Sequence, residues 1–450
     1  MTQAWSLQEV AEVTNGRVVG EPTSQVTGFS ADSRAISNGD LFIGIAGARV
    51  NGGELASAAI EAGAKAALID EAAALSLGAD AESLPLVVCE DTTTALAQLG
   101  NAARRQLQCP VIGVTGSTGK TSTKDILGAI LNSSAPTFVS AGNRNTEIGM
   151  PLELLAVPKG VGSVVLEMAM RGEGQIAELV RIAEPDAGLI VNVGPVHLES
   201  LGSIERVAAA KCELISGLDT GSVCVVPAGD ALIEPYLRED LTTVTFGPGG
   251  DCRLVEANGR SLTIDFRGDL HRIEVTFDQP HNRLNLLAAV GLVLGLGFQL
   301  PDHLEVDFSS HRGQRRTLEK SVVVIDDCYN ANPMSMRAAL ADLAGESERR
   351  GGRRVAVLGD MLELGPDASE MHVLLGLDAA SSGVDVLVTV GDLASLAGSS
   401  FEGQHIATSD AAEAATALLT VLEPGDTVLV KASRGVGLEA VSARLEEEWT

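Results

Sequence analysis

The chain has 450 residues, with 32 Lys and Arg against 60 Asp and Glu and a formal net charge of -28. Such a charge repels nucleic acid and anionic membrane surfaces, which leaves small molecules and metals as partners. An anionic substrate then needs local positive charge from helix N-termini, isolated Lys or Arg side chains, or magnesium.

At roughly 100 to 200 residues per domain, the length predicts about three domains. The six cysteines, at 89, 109, 212, 224, 252 and 328, form no CxxC pair, so their spacing suggests neither a zinc site nor a disulfide framework and fits a reducing compartment. The first twenty residues lack a basic stretch followed by an apolar one, so no secretory signal is read there. The longest apolar run, Leu284 to Phe298, falls short of the roughly 20 residues that span a bilayer and reads as a buried helix. A cytoplasmic chain without membrane insertion is expected.

Residues 40 to 95 give short apolar runs (DLFIGIAG, AKAALID, PLVVCED) between alanine-rich helical segments, a small α/β unit. The helical spacing of Thr92 to Leu107 ends at CPVIGVTG, which places a first boundary near residue 106 and a first domain over 1–105. From there strand-like runs (VIGVT, SVVLEM, AGLIVNV, SVCVVP) alternate with helical stretches, the pattern of βαβ units around a mainly parallel sheet. The basic segment HRGQRRTLEK, 311 to 320, precedes a third alternating series (VVVIDD, RVAVLGD, DVLVTVG, DTVLVKAS). The central domain is therefore set at 106–317 and the last at 318–450, with a flexible linker over 311–320. No repeat of 20 to 50 residues is present.

In GVTGSTGKTSTKD a strand ends at Val114 or Thr115 and a helix starts near Lys120. Gly116, Ser117, Thr118, Gly119, Lys120, Thr121 and Ser122 thus wrap a helix N-terminus whose free N–H groups point at an anion. Lys120 is expected to reach the β- and γ-phosphates and the Thr121 hydroxyl to coordinate magnesium. The spacing departs from GxxxxGK[ST], because Val114 occupies the first glycine position. A tight turn with a chance lysine is the bland alternative.

Glu167 closes the run SVVLEM and His197 follows AGLIVNVGPV, so both stand at the carboxyl edge of a sheet, where magnesium and phosphates are held in open α/β folds. Read alone, they are a solvated strand-end acid and a loop histidine. Lys211, fourteen residues after His197, lies on a helix and reads alone as an exposed cation.

TGSTGKT resembles the phosphate loop of the Mur ligases and folylpolyglutamate synthases, and the segments around Glu167 and His197 resemble the magnesium-binding ones of that family. ADSRAISNGDLFIGIAGARVNGG, AGNRNTEIGMPLELL, HNRLNLLAA, VAVLGDMLELG and GDTVLVKASRG follow in family order, so the resemblance covers most of the chain. It implies a three-domain α/β architecture: an N-terminal domain for a uridine-diphosphate sugar, a central P-loop domain for ATP and a Rossmann-like C-terminal domain for the incoming amine.

The resemblance also distributes roles. Lys120, His197 and Lys211 would be catalytic, and Thr121, Glu167, His197 and Lys211 would serve one or two Mg2+ ions, Lys211 as a carbamate, as several Mur ligases carry at the matching lysine. Asn282 and Asn285 of HNRLN, with Asp327 and Asn330, fall on the nucleotide side, although both amides could equally cap the helix that follows. Ser33 and Arg34 of the DSR triplet, together with Asn145, Thr146 and Glu147, are assigned to the UDP substrate, and Asn332, Ser433 and Arg434 to substrate at the last domain. The family arginine at the entrance to that domain is Arg312, Arg315 or Arg316.

Within the family, DDCYNANPMSM matches the signature of the branch that joins D-alanyl-D-alanine to a UDP-N-acetylmuramoyl-tripeptide through an acyl phosphate, expected here as a monomer. Departures are Asn51, Gly52 and Gly53 for the usual DGH, Gln279 for a glycine, and Ala432 for the glycine of KGSR. The alternatives are a sister ligase with another acceptor and a nucleotide-binding scaffold without turnover.

Overall fold

The computed structural model describes residues 4–47 and 50–449. Three larger sheets follow one another along the chain, with a two-stranded ladder at the N-terminus.

The first sheet has the order Arg17–Val19, Leu86–Cys89, Ala66–Asp70, Asp40–Ile43, Gly28–Ser30, parallel except at the Arg17–Val19 edge. The helix Thr92–Arg104 starts at Asp91, whose carboxylate accepts from the Thr94 N–H, and leads to the second sheet. There Asn101 donates to the carbonyls of Arg181 and Ile182, and Arg104 to those of Ala183 and Glu184. These side chains occupy carbonyls that the helix Gln175–Ala183 leaves unpaired at its end.

The central sheet runs Thr137–Val139, Ser163–Glu167, Val111–Thr115, Ala187–Ile190, Val223–Pro227, Thr242–Phe246, all parallel, and continues into the antiparallel strands Cys252–Asn258, Ser261–Phe266 and Asp269–Val275. VIGVT and SVVLE are buried at every position because helices cover both faces, so the runs are continuous rather than alternating. The chain builds outward from Val111–Thr115 on one side and resumes on the other at Ala187–Ile190. The carboxyl ends of three neighbouring strands therefore meet at a topological switch point, where open α/β sheets form their ligand crevice. Register sharpens this: Glu167 pairs level with Val114, and Ile190 with Thr115. The apolar run forms the helix Pro280–Gly295, buried from Leu286 to Val293 and seated beside the phosphate-loop helix Lys120–Asn132.

The third sheet has the order Gln314–Thr317, Val323–Asp326, Thr427–Lys431, Arg354–Gly359, Val386–Val390, Gln404–Thr408, parallel except at the Gln314–Thr317 edge. That edge strand corrects the sequence reading, since it belongs to the last sheet although it precedes the boundary at 317. Part of the segment 311–320 is thus a strand rather than a linker. Among the described residues no helix is long and apolar enough to cross a membrane.

Candidate functional site

The phosphate loop begins where the strand Val111–Thr115 ends and closes at the helix Lys120–Asn132. Gly119 takes φ 74° at the N-cap, and a Cβ there would stand 2.7 Å from Asn285 Oδ1. Asn285 is itself buried and donates to Asn282 Oδ1 at 3.3 Å, so it cannot swing aside freely. Gly119→Ala should therefore cost about 1–2 kcal/mol from the left-handed backbone alone and weaken ATP binding, read as a lower denaturant midpoint and a weaker calorimetric signal with ADP.

The loop is braced from the next strand over. The Ser117 N–H donates to the Asn192 carbonyl, the Thr118 N–H donates to Asn192 Oδ1 at 2.9 Å, and Asn192 Nδ2 donates back to Thr118. Ser117 Oγ exchanges hydrogen bonds with the Gly194 backbone, so this side chain holds the loop's shape. Asn192 was missed in the sequence, where its signal is an amide directly after a buried strand, in VNVGPVH.

Lys120 Nζ donates to the Gly116 carbonyl at 2.8 Å, which folds it over the loop. Thr121 Oγ1 donates to Glu167 Oε2 at 2.8 Å, and Glu167 Oε1 accepts from Asn145 Nδ2 at 2.8 Å. Asn145 thus belongs to the Glu167 cluster. Arg312 reaches in from the far side, with Nη2 donating to Thr121 Oγ1 at 3.1 Å and its guanidinium 3.9 Å above the Tyr329 ring centre. Its Nε is buried and has no hydrogen-bond partner among the described residues. Arg315 instead pairs with Asp342 and Glu346, and Arg316 with Glu446. The structure thereby selects Arg312 among the three arginines.

Lys211 overturns its reading as an exposed cation: it is 2% exposed on the helix Ile204–Ser216, and among the described residues no carboxylate or carbonyl pairs with it. Burial, then the Lys120 charge, push its pKa well below the ordinary lysine value. Burial also lowers Lys120, which Glu167 partly offsets and Arg312 reinforces. His197 sits in the left-handed region at φ 53° and binds Glu363 Oε2 through Nδ1 at 2.5 Å. Burial lowers it most, opposed by Glu363 and reinforced by Lys211 and Lys120. Several cationic groups in a chain of net charge -28 therefore face one crevice with Glu167.

Glu363 comes from the loop after the strand Arg354–Gly359, 166 positions from His197, and was not singled out in the sequence. Its signal was weak: an acid just past a strand's carboxyl end, in GDMLELG.

At the last sheet, two of the assigned side chains are engaged by local structure. Asn332 caps the helix Pro333–Arg350, its Oδ1 accepting from the Ser335 N–H at 3.0 Å, so local structure occupies that side chain. Ser433 Oγ is buried, accepts from the Leu362 N–H at 2.9 Å and donates to the Ala331 carbonyl. Lys431 Nζ donates to Asp327 Oδ2 at 2.7 Å and to the Asn330 carbonyl at 2.9 Å, which fixes that turn. Arg434 lies 5.1 Å from the Tyr329 ring centre, so Tyr329 has both Arg312 and Arg434 beside it.

Ser33 and Arg34 stand apart, after the first-sheet strand Gly28–Ser30. Arg34 is 88% exposed and paired with Asp32, whose carboxyl it pulls down to about 2. Thr146 and Glu147 precede the helix Gly149–Ala156, and the Thr146 carbonyl accepts from the Met150 N–H.

Sequence models of the Mur ligase family match three stretches of the chain: the catalytic domain over residues 25–111, the middle domain over 114–293 and the glutamate ligase domain over 311–434. A Bacillus subtilis UDP-N-acetylmuramoyl-tripeptide–D-alanyl-D-alanine ligase is 34% identical over 98% of both chains, and an Escherichia coli protein of the same name 30% identical over 99% of both. The fold is similar to that of MurF from Acinetobacter baumannii, with TM-score 0.89 and 30% identity over 99% of this chain and 100% of the other. It is also similar to MurF ligase from Thermotoga maritima in complex with ADP, with TM-score 0.83 and 29% identity over 94% and 97%.

Proposed function

The chain belongs to the Mur ligase family, and from that premise we infer that it is an ATP-dependent ligase of peptidoglycan synthesis that joins D-alanyl-D-alanine to UDP-N-acetylmuramoyl-tripeptide. The observation that carries the ATP half is the cationic crevice, where Lys120, Thr121 and the unpaired Nε of Arg312 converge at a glycine-rich helix N-terminus. The acceptor rests on the near full-length likeness to ligases of that specificity and on the YNANP turn.

The terminal carboxylate of the tripeptide attacks the γ-phosphorus of ATP, and the leaving ADP oxygen takes the bond's electrons. Lys120, released from the Gly116 carbonyl, neutralises charge on the transferring group, and Arg312 does so from the other side. The resulting acyl phosphate is attacked at carbon by the dipeptide's free amine, which loses a proton as inorganic phosphate departs. Closure of the domains over the substrates would keep water from that carbon.

Thr121 Oγ1 and the Glu167 carboxylate, 2.8 Å apart, are hard oxygen donors that suit magnesium, and His197 would join them. When bound, magnesium would supply positive charge at the phosphate oxygens. The buried amine of Lys211, which has no partner among the described residues, is suited to react with carbon dioxide, losing a proton and becoming a carbamate that could serve a second ion. Glu363 would fix the His197 ring, so Glu363→Gln should raise the Mg2+ concentration needed for half-maximal turnover by about 10- to 100-fold, read from a magnesium titration.

Ser33, Arg34, Asn145, Thr146 and Glu147 serve the UDP substrate in this reading, Asn282, Asn285, Asp327 and Asn330 the nucleotide side, and Arg434 the dipeptide. Closure would hinge near residue 105 and near the start of the last sheet. The nucleotide substrates and six unbridged thiols support a cytoplasmic reaction. A tripeptide labelled with oxygen-18 in its terminal carboxylate tests the chemistry: one label should appear in the released phosphate per turnover, and unlabelled phosphate would contradict an acyl phosphate.

A further inference from the structure

At the entrance to the third sheet, the antiparallel pair Gln314–Thr317 and Val323–Asp326 sets Gln314 opposite Asp326. The Gly313 N–H donates to the Asp326 carbonyl and the Tyr329 N–H to the His311 carbonyl, so the two chain segments stay side by side past the last ladder pair. This register brings together His311, Asp326 and Cys328, residues that sequence spacing did not connect. His311 Nδ1 lies 2.8 Å from Asp326 Oδ2, Cys328 Sγ lies 3.0 Å from Asp326 Oδ1, and Sγ and Nδ1 are 3.7 Å apart. All three candidate ligand atoms fall within 4.8 Å of one another. Asp326 and Cys328 are buried, while the His311 side chain is 35% exposed, which leaves an approach from solvent.

We propose that His311, Asp326 and Cys328 form a binding site for one thiophilic divalent cation of the zinc class, separate from the magnesium donors at the phosphate loop. Zinc–sulfur and zinc–nitrogen bonds of about 2.3 and 2.05 Å at the tetrahedral angle put sulfur and nitrogen about 3.6 Å apart. The observed 3.7 Å matches that edge without movement. The two contacts to Asp326 are hydrogen-bond lengths that widen by about half an ångström once a cation replaces the shared protons. On binding, the thiol proton leaves to solvent, the remaining imidazole proton sits on Nε2, and a water completes four ligands. The set mixes one soft thiolate, one imidazole and one carboxylate, which favours zinc or cobalt over magnesium and calcium.

The consequence is mechanical. His311 immediately precedes Arg312, which reaches Thr121 across the crevice. A cation here staples the 311–314 segment to the sheet behind it and restrains the arm that carries Arg312. The site goes beyond the ligase reading and does not depend on it.

The test is titration of chelator-treated, full-length protein with Co2+ as the probe. The expected result is one equivalent with a near-ultraviolet thiolate-to-cobalt charge-transfer band and visible bands of tetrahedral intensity, reversed by one equivalent of Zn2+. Cys328→Ser should abolish the charge-transfer band, and His311→Gln should weaken affinity at least about 10-fold, both with unchanged far-ultraviolet circular dichroism. Absence of the band in the wild-type protein, or its persistence in Cys328→Ser, overturns the proposal. Because the phosphate-loop donors include no sulfur, neither outcome bears on the ligase activity.

Discussion

Lys120→Ala is expected to lower kcat by about 10³-fold or more, the scale on which a cation stabilises a transferring phosphoryl group. The argument is geometric. Lys120 is the loop's own ammonium, poised 2.8 Å from the Gly116 carbonyl, an oxygen it exchanges for phosphate oxygens when ATP enters. Deleting it leaves the apolar framework of the loop helix intact, since Ile126, Leu127, Ile130 and Leu131 fill the core beneath it. Thermal unfolding should therefore change little while turnover collapses. Substantial phosphate release by the alanine variant would contradict the assigned phosphate site.

Lys211→Ala is expected to cost about 10²-fold or more in turnover, the size of losing one charged group that acts on the transition state. The loss should be partly restored by added formate or acetate. An ordinary surface lysine would give neither effect. Here the side chain is buried, has no paired anion among the described residues, and feels the Lys120 charge, so it is destabilised as a cation. Conversion to a carbamate removes that penalty and supplies a carboxylate-like ligand. Carbon-13 bicarbonate should give a carbamate resonance in wild-type protein that is missing in the variant. No such resonance, together with no rescue by small carboxylates, would leave Lys211 as a buried amine acting without modification.

The central sheet was legible because its strands are buried on both faces and its helices are periodic. VIGVT, SVVLEM and AGLIVNV stood out as strands, and GKTSTKDILGAIL as the helix that follows the loop. Once those strands are adjacent and parallel, Glu167 has to stand beside the loop, so its place was legible from the strand order. Choices that depend on register or on distant partners were not legible. Arg312, Arg315 and Arg316 are alike in sequence, and only the pairing of Arg315 and Arg316 with acids of the last domain frees Arg312 for the loop. The helix cap formed by Asn332 and the backbone bonds of Ser433 were not legible either, because a polar residue in a turn can serve local structure as readily as a ligand. Glu363 and the His311, Asp326, Cys328 cluster became visible only when the fold brought separate segments together.

The most direct measurement is ATP-dependent phosphate release with UDP-N-acetylmuramoyl-tripeptide, comparing D-alanyl-D-alanine with single amino acids and glutamate, and with Lys120→Ala as control. Release with the dipeptide alone, lost in the control, is the expected result. Release driven by a single amino acid or glutamate and not by D-alanyl-D-alanine would keep the ligase chemistry but contradict the acceptor, and no release with any acceptor despite ATP binding would contradict the ligase reading itself.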